Sequence, residues 1–406
     1  MGLRFTTAGE SHGKALVAIV EGMPAGLAVT AADVNRELAR RMQGYGRGAR
    51  MKIESDRIEW LSGIRAGETL GSPIAMLIPN LDWANWQDVM AHEAATDAGE
   101  IRRRRVARPR PGHADLSGVL KYDRLDARDI LERASARETA ARVAAGAVAR
   151  RLLEEFGIRI GSHVTSLGGI MADAPVELPE ALNDAADRSP VRCLDAEASK
   201  RMMARIDQAK ADGDTLGGEA EIVARGVPVG LGSHVSWDRK LDGRLAGMLM
   251  AIPAIKGVEI GLGVTAARRP GSEVHDPITL DASAARPDPR AGFRRLSNRA
   301  GGLEGGITTG EPVVVRIAMK PIATLMQPLR TVDLRTGAEA NAQSERSDVT
   351  AVPAVGVIGE AVVALVLADA MLEKFGGDSL DEMHRNHDGY LASLGRQWDE
   401  ERQAAT

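Results

Sequence analysis

Cysteine is almost missing from this chain. Cys193 is the single one among 406 residues, so neither an internal disulfide nor a cysteine-based zinc cluster can form. One cysteine suits a reducing compartment. The opening stretch MGLRFTTAGESHG also lacks the apolar core of a secretory signal, and a cytoplasmic protein is the expectation. Long hydrophobic runs are absent too. The most apolar one, Ala361 to Ala368, lies between Glu360 and Asp369 and is far too short to span a bilayer. Aromatic residues make up only 3%, and 52 basic against 56 acidic residues leave a net charge of −4. No global field draws such a chain to nucleic acid or membrane. Low-complexity linkers and short-period repeats are lacking as well.

What is present is glycine, 44 of them, and polar chemistry that folding does not require. Its densest stretch runs from Arg108 to Ala141. Arg108 and Arg110 alternate with Pro109 and Pro111, which predicts a stiff extended loop. Gly112 permits a turn into His113 and Asp115. Ser135-Ala-Arg-Glu138 has the spacing of a capping box, followed by an alanine-rich helix to about Phe156 that Gly157 stops. Arg133, Ser135 and Arg137 would then gather at a helix N-terminus, where unpaired N–H groups favour anions. Taken alone, that cluster is better explained as an ordinary cap with solvated arginines. The adjacent Arg/His loop tips the reading toward an anion-binding catalytic site.

Two further stretches have the same character. Gly9-Glu10-Ser11-His12-Gly13 is a polar turn between glycines, with two side chains able to exchange protons. Gln43 to Arg50 puts Arg47 and Arg50 in a glycine-rich loop after a helix that starts near Thr30 and Asp33 and carries Val34 and Leu38 on one face. Arg40 and Arg41 at that helix's end have a simpler explanation, since cations there suit the dipole. The pattern predicts helices over Ser199–Ala211, Leu241–Ile252 and Pro353–Phe375. Strands are predicted at 15–20, Ile58–Ser62, Pro73–Ile78, His163–Ile170, Glu219–Val229 and Pro312–Met319. Asn80 to Glu100 reads as a surface loop or lid, 172–192 as a loop, and Arg102 to Arg105 as a solvated run. Candidate site residues are scattered from position 11 to 348 and must converge on one pocket. That predicts one interwoven domain over 1–392 and a charged, flexible tail over 393–406.

In order along the chain stand TAGESHG (7–13), RRMQGYGRGARM (40–51), RPGHAD (110–115), RASARETAARVAAGA (133–147), KGVEIGLG (256–263), NRAGGLEGGITTG (298–310), KPIAT (320–324) and RSDVTAVPA (346–354). Together they strongly resemble the chorismate synthase family, in its bacterial, monofunctional form, over nearly all of residues 2–390. The resemblance implies an α+β fold, a β-α-β sandwich with helices packed between antiparallel sheets, assembled as a homotetramer. It implies loss of phosphate and a C6 hydrogen from 5-enolpyruvylshikimate 3-phosphate in a 1,4-anti elimination. Reduced FMN is required without net redox change. A separate flavin-reducing system would supply it, and NADP is associated with such chains.

By the same resemblance, His12 protonates the departing phosphate, His113 holds the reduced flavin, and Asp348 assists at N5. Ser11 and Ser135 serve as relay hydroxyls. Arg41, Arg47, Arg50, Arg110 and Arg137 bind substrate, in keeping with the bidentate donors that carboxylates and phosphate need. Flavin contacts fall to Arg133, Ala134, Ser135, Pro253, Ala254, Gly305, Lys320, Pro321, Ile322, Ala323, Thr324 and Arg346. No metal ligand is implied. Ala134, Pro253 and Ala323 depart from the usual family residues; each removes a side-chain hydrogen bond and leaves the backbone. Two other classes stay open. An FMN-dependent oxidoreductase with net hydride transfer would need a pyridine-nucleotide site, and no GxGxxG turn supports one. A polyanion-binding protein would bind through the basic loops with steep salt dependence and need no histidine.

Overall fold

Strands with strict alternation and helices with almost none account for the layering of this molecule. The computed structural model describes residues 2–48, 55–93, 104–281, 283–284, 287–344 and 348–404. The first part of the chain supplies β1 (Arg4–Ala8), β2 (Ala15–Glu21), α1 (Ala31–Met42), β3 (Glu59–Ser62) and β4 (Ile74–Pro79). These strands pair antiparallel in the order β1-β2-β4-β3. Ala18 faces Met76 across the central pair, and both are fully buried. Then come α2 (Asp115–Tyr122), α3 (Arg128–Ala134) and α4 (Thr139–Glu155). The second sheet uses β5 (Arg159–Leu167), β6 (Ile170–Met171), β7 (Gly218–Arg225), β8 (Ile255–Ile260) and β9 (Val313–Met319), in the order β8-β9-β7-β5-β6, again antiparallel. Helices α5 (Ala196–Ala211) and α6 (Leu241–Met250) are inserted between its strands, and α7 (Val352–Phe375), α8 (Leu380–Ser393) and α9 (Arg396–Ala404) follow them.

Two helices fill the space between the sheets. Helix α4 lies under β2 and α7 lies on β5 and β7, with α4 and α7 against each other. Alanine and glycine permit this close packing. A Cβ built on Gly146 would fall 2.5 Å from the Cβ of Ala361 and 2.6 Å from its carbonyl oxygen. Helix α7 is apolar over 24 residues, long enough by length and composition to cross a membrane, yet it is buried on almost every side. A helix apolar all round belongs in such a core. Its one buried charge is Glu360, which accepts from Arg40 at 2.9 Å, Arg150 at 2.5 Å, Arg192 at 3.2 Å and Ser162 at 2.6 Å. Arg40 therefore does more than suit a helix dipole: it ties α1 to α7.

Most predicted elements are present with shifted ends, and three expectations change. The segment 172–192 contains a short helix, Leu182–Asp187. The stretch after the Arg108–Pro111 loop folds into α2 and α3 over a small separate core of Val106, Val119, Ala127 and Leu131. The charged tail is helical over Arg396–Ala404, where flexibility was expected; charged side chains on a short helix remain solvated.

Candidate active site

The turn between α3 and α4 organises the site. Ser135 is extended (φ −66°, ψ 143°), so it ends α3 and starts a tight turn over Ala136–Glu138. Its hydroxyl accepts from the Arg137 N–H at 3.3 Å and donates to Ser11 Oγ at 3.1 Å. The predicted capping box is only half made. The Glu138 carboxylate instead accepts from Thr7 Oγ1 at 2.7 Å and Arg142 at 2.9 Å, because the Arg142 guanidinium one turn on offers a charged partner. Arg133 reaches the helix N-terminus only through Glu138, at 3.8 Å. It sits in the last turn of α3 and donates to the carbonyls of Thr7 at 2.7 Å and Gly9 at 3.2 Å, tethering the loop that carries Ser11 and His12.

That loop is held on both sides. The Ser11 N–H donates to the Glu132 carbonyl at 3.0 Å, and buried Asn80 donates to the carbonyls of Ser11 at 3.2 Å and Gly13 at 2.9 Å. Gly9 is required: its φ is +102° and a Cβ would lie 2.4 Å from the Ala15 carbonyl oxygen. His12 places Nδ1 at 2.9 Å from Glu132 Oε2, and its backbone N–H donates to the same oxygen at 2.9 Å. Arg128 donates to the other carboxylate oxygen at 2.6 Å. Burial raises the Glu132 pKa, but the hydrogen bond and charge of His12, with Arg128, outweigh it and hold the carboxyl below its ordinary value. Trp86 stacks on the imidazole with ring centroids 3.8 Å apart, and the Arg104 guanidinium sits 4.1 Å from the indole centroid. Residues 80–93 are thus a turn that carries Trp86 over His12; 94–100 lie outside the described residues. Arg104 is engaged rather than merely solvated, as is Arg105, which donates to the Leu125 carbonyl at 3.0 Å.

On the other side of Ser135 is an arginine cluster. Arg41 donates to Thr139 Oγ1 at 3.0 Å and the Ala136 carbonyl at 3.0 Å, and lies 3.4 Å from Asp56. Arg137 donates to Asp56 at 2.9 Å. Arg47 pairs with Asp348 at 2.8 Å and donates to the Arg41 carbonyl at 3.2 Å; the Gly48 N–H donates to Asp348 at 2.6 Å. Burial lowers the pKa of Arg41 to about 10, Asp56 opposes this, and Arg47 and Arg137 add to it. Three guanidiniums and two carboxylates thus meet in this cluster. Arg50 and Arg346 lie outside the described residues.

A third group gathers around Asp115. Arg110 donates to Asp115 at 2.8 Å and to Thr324 Oγ1 at 3.0 Å, and approaches His113 Nδ1 at 3.1 Å. His113 Nδ1 is 2.5 Å from Asp115. Burial raises the Asp115 pKa, but the hydrogen bonds from His113 and Arg110 hold the carboxyl well below the usual range. Lys320 donates from Nζ to the Gly112 carbonyl at 2.5 Å and from its backbone to the Ala254 carbonyl at 3.0 Å. Burial, then Lys256, pushes its ammonium pKa down. Ala254 holds φ at +70°, a strained conformation for a residue with a Cβ. Thr215 Oγ1 donates to the Ile322 carbonyl at 2.8 Å, while Leu216 and Val349 link this segment to Gly46 beside Asp348. Pro253 precedes Ala254, and Pro321 and Ala323 share the Lys320–Thr324 segment with Ile322.

Gly305 is not brought to that group within one chain. Gly306, next to it, accepts from the Leu241 N–H at the start of α6, whereas Pro253 and Ala254 follow its end. Ten helical residues separate them by about 15 Å. An apolar cavity of about 480 Å³ beside β1, α6 and α7, lined by Leu3, Phe5, Met248 and Leu365, holds none of the candidates. Sequence reasoning missed Asp56, Asn80, Glu132 and Thr139 as partners. Only Glu132 carried a signal, four residues after Arg128 on a helix.

Three comparisons bear on this arrangement. The family profile described as chorismate synthase matches residues 3–372. Chorismate synthase of Geobacter sulfurreducens is 58% identical over 389 residues, covering 96% of this chain and 98% of that one. The enzyme of Symbiobacterium thermophilum is 58% identical over 398 residues, covering 97% and 100%. A crystal structure of chorismate synthase superposes with a TM-score of 0.76 at 44% identity, covering 96% of this chain and 98% of that one. Match, coverage and fold agree: the chain belongs to the chorismate synthase family.

Proposed function

We propose that this chain converts 5-enolpyruvylshikimate 3-phosphate to chorismate and inorganic phosphate by 1,4-elimination, the last step of the shikimate pathway. The carrying observation is His12, held by a buried carboxylate beside a pair of hydrogen-bonded serines and a cluster of buried arginines. The substrate bears two carboxylates and a phosphate. Arg41, Arg47, Arg137, Arg110 and Arg50 supply donors of matching shape. In the reaction the C3–O bond breaks with its electron pair going to phosphate, and a C6 hydrogen is lost as the new double bond forms. Protonation by His12, with arginine donors on the phosphate oxygens, neutralises the charge that develops on the leaving group. Asp348 and the Ser11–Ser135 pair are the groups that handle the second proton.

The donor set around Gly112 fits a reduced FMN: the cations Lys320 and Arg110, the Thr324 hydroxyl, the His113 ring, and backbone at Ala134, Pro253, Ala254, Pro321, Ile322 and Ala323. The family resemblance adds Arg133, Ser135 and Arg346 as flavin contacts, the last outside the described residues. The chemistry the flavin supplies when bound is transient electron donation and acceptance of the hydrogen near N5, with no net redox change. His113, fixed by Asp115, would face the edge of a bound flavin and hold a proton there. The separation of Gly305 from Pro253 supports a homotetramer in which a neighbouring copy supplies that glycine. We place the enzyme in the cytoplasm, served by a separate flavin-reducing system.

The test is anaerobic: purified protein, chemically reduced FMN and 5-enolpyruvylshikimate 3-phosphate, with phosphate and chorismate followed together. Equal amounts of both and many turnovers per flavin are expected. Flavin binding without phosphate release, or steady consumption of reduced nicotinamide into a reduced product, would overturn the reading in favour of a net hydride-transfer enzyme.

A further inference from the structure

The His12 ring is bracketed by groups that no proton-transfer role for the imidazole alone requires. Glu132 is 2% exposed, and its side chain makes no contact with the outside that would explain a charge there. It grips one residue twice. Oε2 takes both the ring Nδ1 and the backbone N–H of His12, each at 2.9 Å, and the Glu132 carbonyl takes the Ser11 N–H at 3.0 Å. Arg128 at 2.6 Å pins the opposite oxygen, so the carboxylate is not free to turn. Trp86 covers one face of the ring, and its own indole is fixed by Nε1 donating to Asp82 at 2.9 Å.

We infer that Glu132 is a positioning residue for the reaction: it forces the neutral His12 ring into the Nδ1–H tautomer and so assigns proton donation to Nε2. An ionised carboxylate has no proton to give, so in the pair the proton must sit on Nδ1. The logic is that of a buried carboxylate holding a catalytic imidazole in one tautomer, where loss of the carboxylate costs far more than its bulk implies. Among the described residues, the other charged groups near the ring are Arg128 on the same helix as Glu132, Arg104 across Trp86, and Glu10 in the ring's own loop, whose carboxylate lies beside Gly13. It is Glu132 that hydrogen-bonds Nδ1.

This inference rests on the proposed elimination for its rate consequence but not for its geometry, and the experiment separates the two. Histidine labelled with ¹⁵N, with His12 assigned by loss of its signals in His12→Gln, reports the neutral tautomer in the resting wild-type protein. The expected result is Nδ1–H; an Nε2–H ring would overturn the inference, whatever the protein catalyses. In Glu132→Gln, kcat should fall about 10²-fold or more while KM stays within a few-fold. The neutral ring in this variant should lose its exclusive Nδ1–H signature, because the amide can donate to Nδ1 as well as accept from it. A merely structural role predicts lower yield with the Nδ1–H signature and the kcat of the folded enzyme unchanged, and that outcome would overturn it. Should Glu132→Gln fail to fold, Glu132→Asp retains the carboxylate and must keep the Nδ1–H ring. Wild-type protein that makes no chorismate yet shows the Nδ1–H ring would sink the proposed reaction and leave the tautomer assignment standing.

Discussion

Asp56 shows how the arginine cluster tolerates its own charge. It lies 2.9 Å from Arg137 and 3.4 Å from Arg41, and all three are buried. Asp56→Ala should leave two buried guanidiniums without that counter-charge and cost about 3–5 kcal/mol of stability. Inorganic phosphate should recover more of the lost Tm in this variant than in wild type, because an anion that binds only the folded state stabilises it. A variant equally stable without phosphate would show that the cluster is not the anion seat. At His12 the expectation is catalytic: His12→Ala should lower kcat about 10²–10⁴-fold with flavin affinity nearly unchanged, measured by turnover and by flavin titration. Normal turnover in that variant would remove His12 as the acid. Single residues were the most legible level in the sequence, but only where type and neighbours were unusual. His12 between glycines and Arg110 between prolines stood out. Asp56, Asn80 and Thr139 did not, because an isolated polar residue looks the same whether or not it meets a distant partner, as Asp56 meets Arg137 81 positions away.

Helices α4 and α7 meet where a glycine faces an alanine. Gly146→Ala gains helix propensity of about 1 kcal/mol. It also drives a Cβ to 2.5 Å from that of Ala361, inside a layer that has no room to spread. Overpacking of this kind costs about 1–3 kcal/mol, and Gly146→Val should cost more. Thermal unfolding should place both variants below wild type, in that order; a Gly146→Ala protein more stable than wild type would mean the layer yields easily. Periodicity revealed these helices and the alternating strands, since burial on one face leaves a repeat in the residues. It missed α2 and α3, whose small core of four residues is too brief to set up a pattern. It also read the Ser135–Glu138 spacing as a box, when Arg142 and Thr7 take the glutamate away. Local spacing states which bonds are possible; distant partners decide which are made.

At the scale of the whole molecule, Glu360 joins the layers. Burial raises its pKa, but Arg40, Arg150 and Arg192 outweigh that and hold the carboxyl well below its ordinary 4.5. A depressed folded-state value means the linked stability is present above the unfolded value and is lost as pH falls through the folded one. Glu360→Gln should therefore be weaker by about 3–5 kcal/mol at neutral pH, with the gap to wild type narrowing in acid below the ordinary carboxylate range. A pH-independent gap in denaturant titrations would contradict it. The layered architecture was legible only through family likeness, because periodicity says which face of an element is buried and not what covers it. The position of α7 has one more consequence. It follows all nine labelled strands in the chain, yet it occupies the middle of the finished layers. As the polypeptide leaves the ribosome, α4 is made before the second sheet but α7 is not, and that sheet's inner face waits with Ile222 and Val315 uncovered. Translation that stalls before position 352 leaves a product with one greasy face and only half of the filling. Protection by a holding chaperone during synthesis is therefore the expected fate of every copy of this chain, a demand set by gene order rather than by final stability.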